Sequence, residues 1–129
     1  MTYNVLETRI TSFTDLRSWQ QARELSVMLY RLTMDFPISE RFGLTSQMRR
    51  AGVSVAANIA EGFSRNTAKD KINFYGMALG SLTETQSHVY IAQDLEFLTE
   101  DNLLIIMEIT GTLHKMINGL IKTAQGRNT

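Results

Sequence analysis

Apolar residues recur every three or four positions along almost the whole 129-residue chain, and that period limits the possible folds more than any other feature. Leu16, Trp19, Ala22, Leu25, Leu29, Leu32 and Phe36 form one stripe, and Leu44, Met48, Ala51, Val55, Ile59 and Gly62 form a second. Ile72, Tyr75, Leu79, Leu82, Val89 and Leu95 form a third. Such spacing places each set on one face of an α-helix, whereas strands need alternation at period two. Only Tyr3 to Ile10 offers any such alternation.

The punctuation agrees. Ser12 or Thr14 caps a first helix from about Asp15 to Phe36, which Pro37 ends because the residue before proline is pushed out of the helical region. "PISERFG" is a turn with room for one helical turn inside it. The second helix starts near Leu44 or Thr45 and is broken by "SRNT". Thr67, with Asp70 three residues on, resembles a capping box opening a third helix from about Ala68 to Phe97. Thr99 caps a fourth over Glu100 to Ala124, where Glu100 and Asp101 complement the helix dipole. Four amphipathic helices with short connections predict an all-α, up-down-up-down four-helix bundle over residues 14–124, with tails at 1–13 and 125–129. The third helix would be long, about 45 Å. Its Phe74, Ala78 and Ala92 lie off the main stripe, and six internal methionines spread over several helices. A bundle apolar on two sides buries the second against a copy of itself, so a homo-oligomer is expected.

Composition closes off several functions. Without cysteine there is no disulfide scaffold, thiolate zinc site or cysteine nucleophile. Two histidines, with Glu84 and His88 at the wrong spacing and His114 alone, do not make a bundle di-metal site. No glycine-rich phosphate loop follows a strand. No cofactor and no metal are therefore expected. "MTYNVLETRITSF" lacks the basic opening and apolar run of a signal peptide, which with the absent cysteines points to the cytoplasm, and no segment is apolar enough for a membrane.

Arg49 to Arg65, "RRAGVSVAANIAEGFSR", is the least ordinary segment. Gly52, Ala56 and Ala60 make a flat ridge at four-residue spacing, and Gly76 with Gly80 makes a notch on the third helix. Each glycine costs about 1 kcal/mol of helix propensity relative to alanine, so close packing between helices is expected to compensate; a groove admitting a ligand is the alternative. Arg50, Ser54, Asn58, Glu61 and Arg65 form a polar stripe, while Ser81, Glu84 and His88 share a face of the third helix. If the two meet, Asn58 and Glu84 join a network with an arginine such as Arg50, which sets register and assembly geometry. Catalysis is not indicated, because no nucleophile stands beside a base.

"FTDLRSWQQARELSVMLYRLTMDFP", "ERFGLTSQMRRAGVSVAANIAEGFSR", "FYGMALGSLTET" and "YIAQDLEFL" together resemble the small bacterial four-helix-bundle proteins encoded in 23S rRNA intervening sequences, over about Ile10 to Lys122. The resemblance implies a homopentameric ring and no known enzymatic activity. A distantly similar protein, the accessory variability protein of diversity-generating retroelements, binds a reverse transcriptase and nucleic acid. The matching positions are Gln47, Arg49, Arg50, Asn58, Glu61, Gly62, Ser81 and Glu84, none an established catalytic residue. Ser81 to His88 departs from the family pattern, with Gln86 replacing a carboxylate and Thr85 a leucine, which implies a rearranged network.

Thirteen basic and thirteen acidic residues cancel, unlike a typical nucleic-acid binder, but they are not evenly spread. Between Arg41 and Lys71 the balance is +4, and between Glu84 and Glu108 it is −6 with no basic residue. In an up-down bundle Arg65, Lys69, Lys71, Lys122 and Arg127 gather at one end. Repeated around a ring, that end becomes a basic rim suited to RNA or a ribonucleoprotein partner. The competing expectation is a protein-interaction scaffold that never touches nucleic acid.

Overall fold

The structure, a computed structural model, describes residues 9–127. Most of the Tyr3 to Ile10 alternation lies outside the described residues. Four α-helices follow in order: α1 (Arg17–Thr33), α2 (Leu44–Ser64), α3 (Ala68–Asp94) and α4 (Glu100–Arg127). Short 3-10 turns at Phe13–Asp15 and Ile38–Glu40 precede α1 and α2, and no strand occurs among the described residues.

Helix starts follow their local chemistry. Thr67 Oγ1 accepts from Asp70 N at 3.1 Å and Thr99 Oγ1 from Asn102 N at 3.1 Å, each satisfying a donor that a helix start leaves orphaned. At α2 the cap comes from further back, with Glu40 Oε1 accepting from Leu44 N at 3.1 Å. Ser12 and Asp15 do form a capping box, but on the 3-10 turn. Leu16 then adopts an extended backbone, so α1 begins at Arg17.

Helix ends differ more from expectation. α1 stops at Thr33, although Phe36 remains buried. α3 stops at Asp94, because Glu96 takes a left-handed φ of 65° and Phe97 N reaches back to Ala92 O at 2.9 Å. α4 runs on to Arg127, past the expected boundary at Ala124.

The helices form a square in which each packs on its chain neighbours and α4 returns to α1. Turns as short as residues 65–67 and 95–99 force antiparallel neighbours. The core is centred on Leu25, Leu29, Met48, Val55, Ile59, Leu82, Val89, Ile106, Leu113 and Ile117, all fully buried. Each such side chain contributes about 1.5–3 kcal/mol of transfer free energy. Ala78 and Ala92, expected off the buried face of α3, are fully buried with Thr85 between them. Tyr75, Leu82 and Val89 form one heptad row, and Ala78, Thr85 and Ala92 form the second, whose small or polar residues hide it from a hydrophobicity pattern. The outer apolar surface of α3 consists instead of Met77, Tyr90 and Ile91, with Leu95 just beyond. No helix among the described residues is long and apolar enough to cross a membrane.

Three polar rungs tie neighbouring helices. Arg49 Nε donates to Thr33 Oγ1 at 2.8 Å between α2 and α1. Ser54 Oγ and Ser81 Oγ meet at 2.8 Å between α2 and α3, and Gln86 Nε2 donates to Thr110 Oγ1 at 2.9 Å between α3 and α4. Each rung fits one register of its pair.

Candidate functional site

The expected polar stripe separates into three parts. Asn58 Nδ2 donates to Ser54 O at 2.9 Å and to Ser54 Oγ at 3.0 Å, joining the Ser54–Ser81 rung. Glu61 instead turns to Arg65, its carboxylate 3.0 Å from the guanidinium. Glu84 Oε2 lies 3.0 Å from Nε2 of the buried His88, one turn along α3. Asn58 and Glu84 therefore do not join through Arg50, which is exposed and finds no polar partner among the described residues. The reason is reach: each carboxylate takes the nearest donor on its own helix face, at i,i+4 spacing.

The small residues also divide. A Cβ on Gly52 would lie 2.6 Å from Leu29 Cδ1, and one on Gly62 would lie 2.6 Å and 2.8 Å from Tyr75 Cε1 and Cδ1. These two glycines permit close helix approach. Ala56 and Ala60 are half-buried, and Ala56 packs against the core. At Gly76 and Gly80 a Cβ would meet nothing within 4 Å, so the expected notch packs against no other helix of the chain. Both glycines lie on the outward side of α3, away from its two heptad rows.

The basic end is less available than its charge count suggests. Arg65 is paired with Glu61 and lies over the Phe74 ring at 4.5 Å. Lys71 Nζ donates to Phe63 O at 2.7 Å and Gly62 O at 3.4 Å, closing the C-terminal carbonyls of α2. Lys69 and Lys122 remain exposed. Lys71, Phe63, Leu120 and Thr123 line one cavity of about 360 Å³, so the α2–α3 turn and the last turns of α4 do share an end.

A denser cationic arrangement lies near the opposite end. An open groove of about 700 Å³ is lined by Tyr30 of α1, by Arg41 and Phe42, by Thr45, Ser46, Arg49, Arg50 and Ser54 of α2, and by Glu84 of α3. Arg49 is pre-positioned: besides the Thr33 bond, its Nη2 donates to Tyr30 O at 3.3 Å and its guanidinium lies over the Tyr30 ring at 4.6 Å. A guanidinium carries five N–H donors in a rigid plane, so donors remain for a ligand in the groove. Phe42 is 88% exposed, with Arg41 over its ring at 5.3 Å. The sole carboxylate among the lining residues, Glu84, is occupied by His88. Three arginines beside two exposed aromatic rings suit a phosphate backbone with stacked bases.

Sequence reasoning named Arg49 and Arg50, counted Arg41 only in the charge balance, and passed over Phe42 and Tyr30. The available signal was "ERFG", an arginine–phenylalanine pair in a short turn after a proline, where no core stripe accounts for the phenylalanine. Among the described residues no cluster of three or more metal-ligating side chains occurs.

Among curated proteins none matches the chain. A solved structure from Bacteroides thetaiotaomicron, described as a protein of unknown function from the S23 ribosomal protein family, is similar in fold. It superposes with a TM-score of 0.75 at 24% identity, covering 81% of this chain and 95% of its own. The sequence pattern of the 23S rRNA-intervening sequence proteins matches residues 14–119, which takes in all of α1, α2 and α3 and most of α4. The chain belongs to the 23S rRNA-intervening sequence protein family.

Proposed function

We propose that the chain is a non-enzymatic, oligomeric binding protein of the cytoplasm, with a ring of five as the resemblance implies. Its ligand is an RNA strand, free or in a ribonucleoprotein, held in the arginine groove rather than by the basic rim. The observation that carries this reading is Arg49, whose guanidinium is fixed by Thr33 and Tyr30 and still has donors to offer. Arg41 and Arg50 flank it as phosphate contacts, and Phe42 and Tyr30 offer faces to unpaired bases. Lys69 and Lys122 act only as a diffuse field at the far end. Zero net charge limits non-specific binding, so the groove supplies most of the affinity.

The test is fluorescence polarisation with a labelled single-stranded RNA oligonucleotide across a salt series. Replacing Arg41 and Arg49 by alanine is expected to weaken binding at least about tenfold and to reduce the salt slope by roughly 0.7 for each phosphate no longer neutralised. Replacing Lys69 and Lys122 changes it little. Unchanged binding in the arginine variant sinks the reading. The alternative is a protein-interaction scaffold, favoured by the run from Glu84 to Glu108 without one basic residue. Purification from the native cell with a defined protein and no RNA would select it.

A further inference from the structure

We infer that a second copy of this chain docks into the groove between α1 and α4, and that it does so with the acidic corner at the end of α3. This gives the oligomeric part of the proposed function its surface and is independent of the RNA part. The seam between α1 and α4 holds an open, mainly apolar groove of about 520 Å³, with Val27, Met28, Leu32 and Ile105 among its lining residues. Arg23 and Arg31 stand among them, Arg23 lying over the Trp19 ring at 4.9 Å, with Glu24 as the one carboxylate. α1 as a whole carries Arg17, Arg23 and Arg31 against Glu24.

The chain itself supplies a complementary surface. Tyr90, Ile91 and Leu95 are each about half exposed, and Asp94 and Glu96 beside them are exposed carboxylates. No basic residue lies between Glu84 and Glu108 to neutralise them. Apolar side chains rimmed by acid thus match an apolar groove rimmed mainly by arginine.

The placement also fits. α1 and α3 occupy opposite corners of the square, so the groove and the acidic corner face away from each other on one protomer. Both lie toward the same end of the bundle, where α1 finishes, α3 finishes and α4 begins. Two copies therefore pair side by side with parallel axes, each using a different face for each neighbour. Such a heterologous contact closes into a ring when its rotation allows. The α2 and α4 sides then form the two walls of the ring, and the arginine groove repeats once per protomer along one wall.

The experiment is light scattering on size-exclusion eluate, with circular dichroism to confirm unchanged helix content. The wild type is expected to run as a multiple of its 14.6 kDa protomer. Arg23→Glu with Arg31→Glu, and separately Asp94→Lys with Glu96→Lys, each reduce the mass toward one protomer. Mixing the two variants raises the mass above that of either alone, because each then carries the complement of the other's groove and corner. The mixed species need not match the wild-type count, since strict alternation closes a ring only with an even number of protomers. Val27→Asp with Ile105→Asp, both at half-exposed positions, dissociates the assembly through its apolar part. A monomeric wild type at tens of micromolar overturns the inference, as does an unchanged mass in all three variants or a mixture that stays dissociated. RNA binding is read on the same samples: an assembled wild type without RNA affinity removes the proposed ligand and leaves this interface standing.

Discussion

Gly62→Ala and Gly76→Ala make the same chemical change on two faces of the bundle, and the structure assigns them different outcomes. In a helix each replacement gains about 1 kcal/mol of propensity, so that contribution nearly cancels between the two variants. The added Cβ at position 76 meets nothing within 4 Å. At position 62 it lies 2.6 Å and 2.8 Å from two carbons of the Tyr75 ring and 3.2 Å from Phe74 Cβ. Carbon contacts are favourable at about 3.5–4.0 Å, so the ring must retreat by about 1 Å. Tyr75 is only 3% exposed and belongs to the main core, where such retreat displaces further side chains. Overpacking of this kind costs about 1–3 kcal/mol. Urea denaturation followed by circular dichroism should therefore place Gly62→Ala about 1–3 kcal/mol below Gly76→Ala. For a domain of this size the thermal midpoints separate by roughly 3–5 °C per kcal/mol. Equal stability of the two variants would refute the reasoning, since the contacts at Tyr75 and Phe74 are the difference invoked.

Two further outcomes follow from polar contacts. Lys71→Met removes the charged donor that closes the C-terminal carbonyls of α2 and should cost about 1–2 kcal/mol, whereas Lys69→Met on the exposed face should stay within about 0.5 kcal/mol; the same denaturation assay separates them. Asp15 accepts from Thr11 N at 3.0 Å, from Ser12 N at 3.1 Å and from Thr11 Oγ1 at 3.1 Å, and these bonds hold its carboxyl below the usual aspartate value. A depressed folded-state value means that its stabilising effect is present above about pH 3.9, the unfolded value, and is lost as pH falls through the lower folded one. Asp15→Asn should flatten that acid limb in a stability-against-pH titration and leave the neutral region nearly level.

Where the sequence could be read, a neighbouring residue carried the information. Thr67 and Thr99 are adjacent to the turns they cap, so the starts of α3 and α4 were legible. The end of α1 was not: Thr33 bonds back to Leu29 O at 2.7 Å while its hydroxyl also accepts from Arg49, sixteen residues away. The apolar stripes located Tyr75, Leu82 and Val89, but the second buried row of α3 is alanine, threonine and alanine, which hydrophobicity alone passes over. Leu95 was assigned to the core and is half exposed, because the left-handed turn at Glu96 ends the helix before its face can be buried. Charge counting found the basic end but could not see that Glu61 takes Arg65 or that backbone carbonyls take Lys71. The arginine groove was illegible for the opposite reason, being assembled from three helices and the turn between the first two.

The double role of Arg49 has a thermodynamic consequence. It holds the last turn of α1 through Thr33 and Tyr30 O, and that turn also presents Arg31 and Leu32 to the groove on the far side of α1. A ligand that draws Arg49 outward loosens this turn, and one that locks it in place stiffens the turn. Linkage is reciprocal: whatever factor a groove ligand imposes on self-association, self-association must impose on the affinity for that ligand. Titrating ligand into samples at several protein concentrations measures that factor directly, and its sign tells whether the two faces of α1 cooperate or compete.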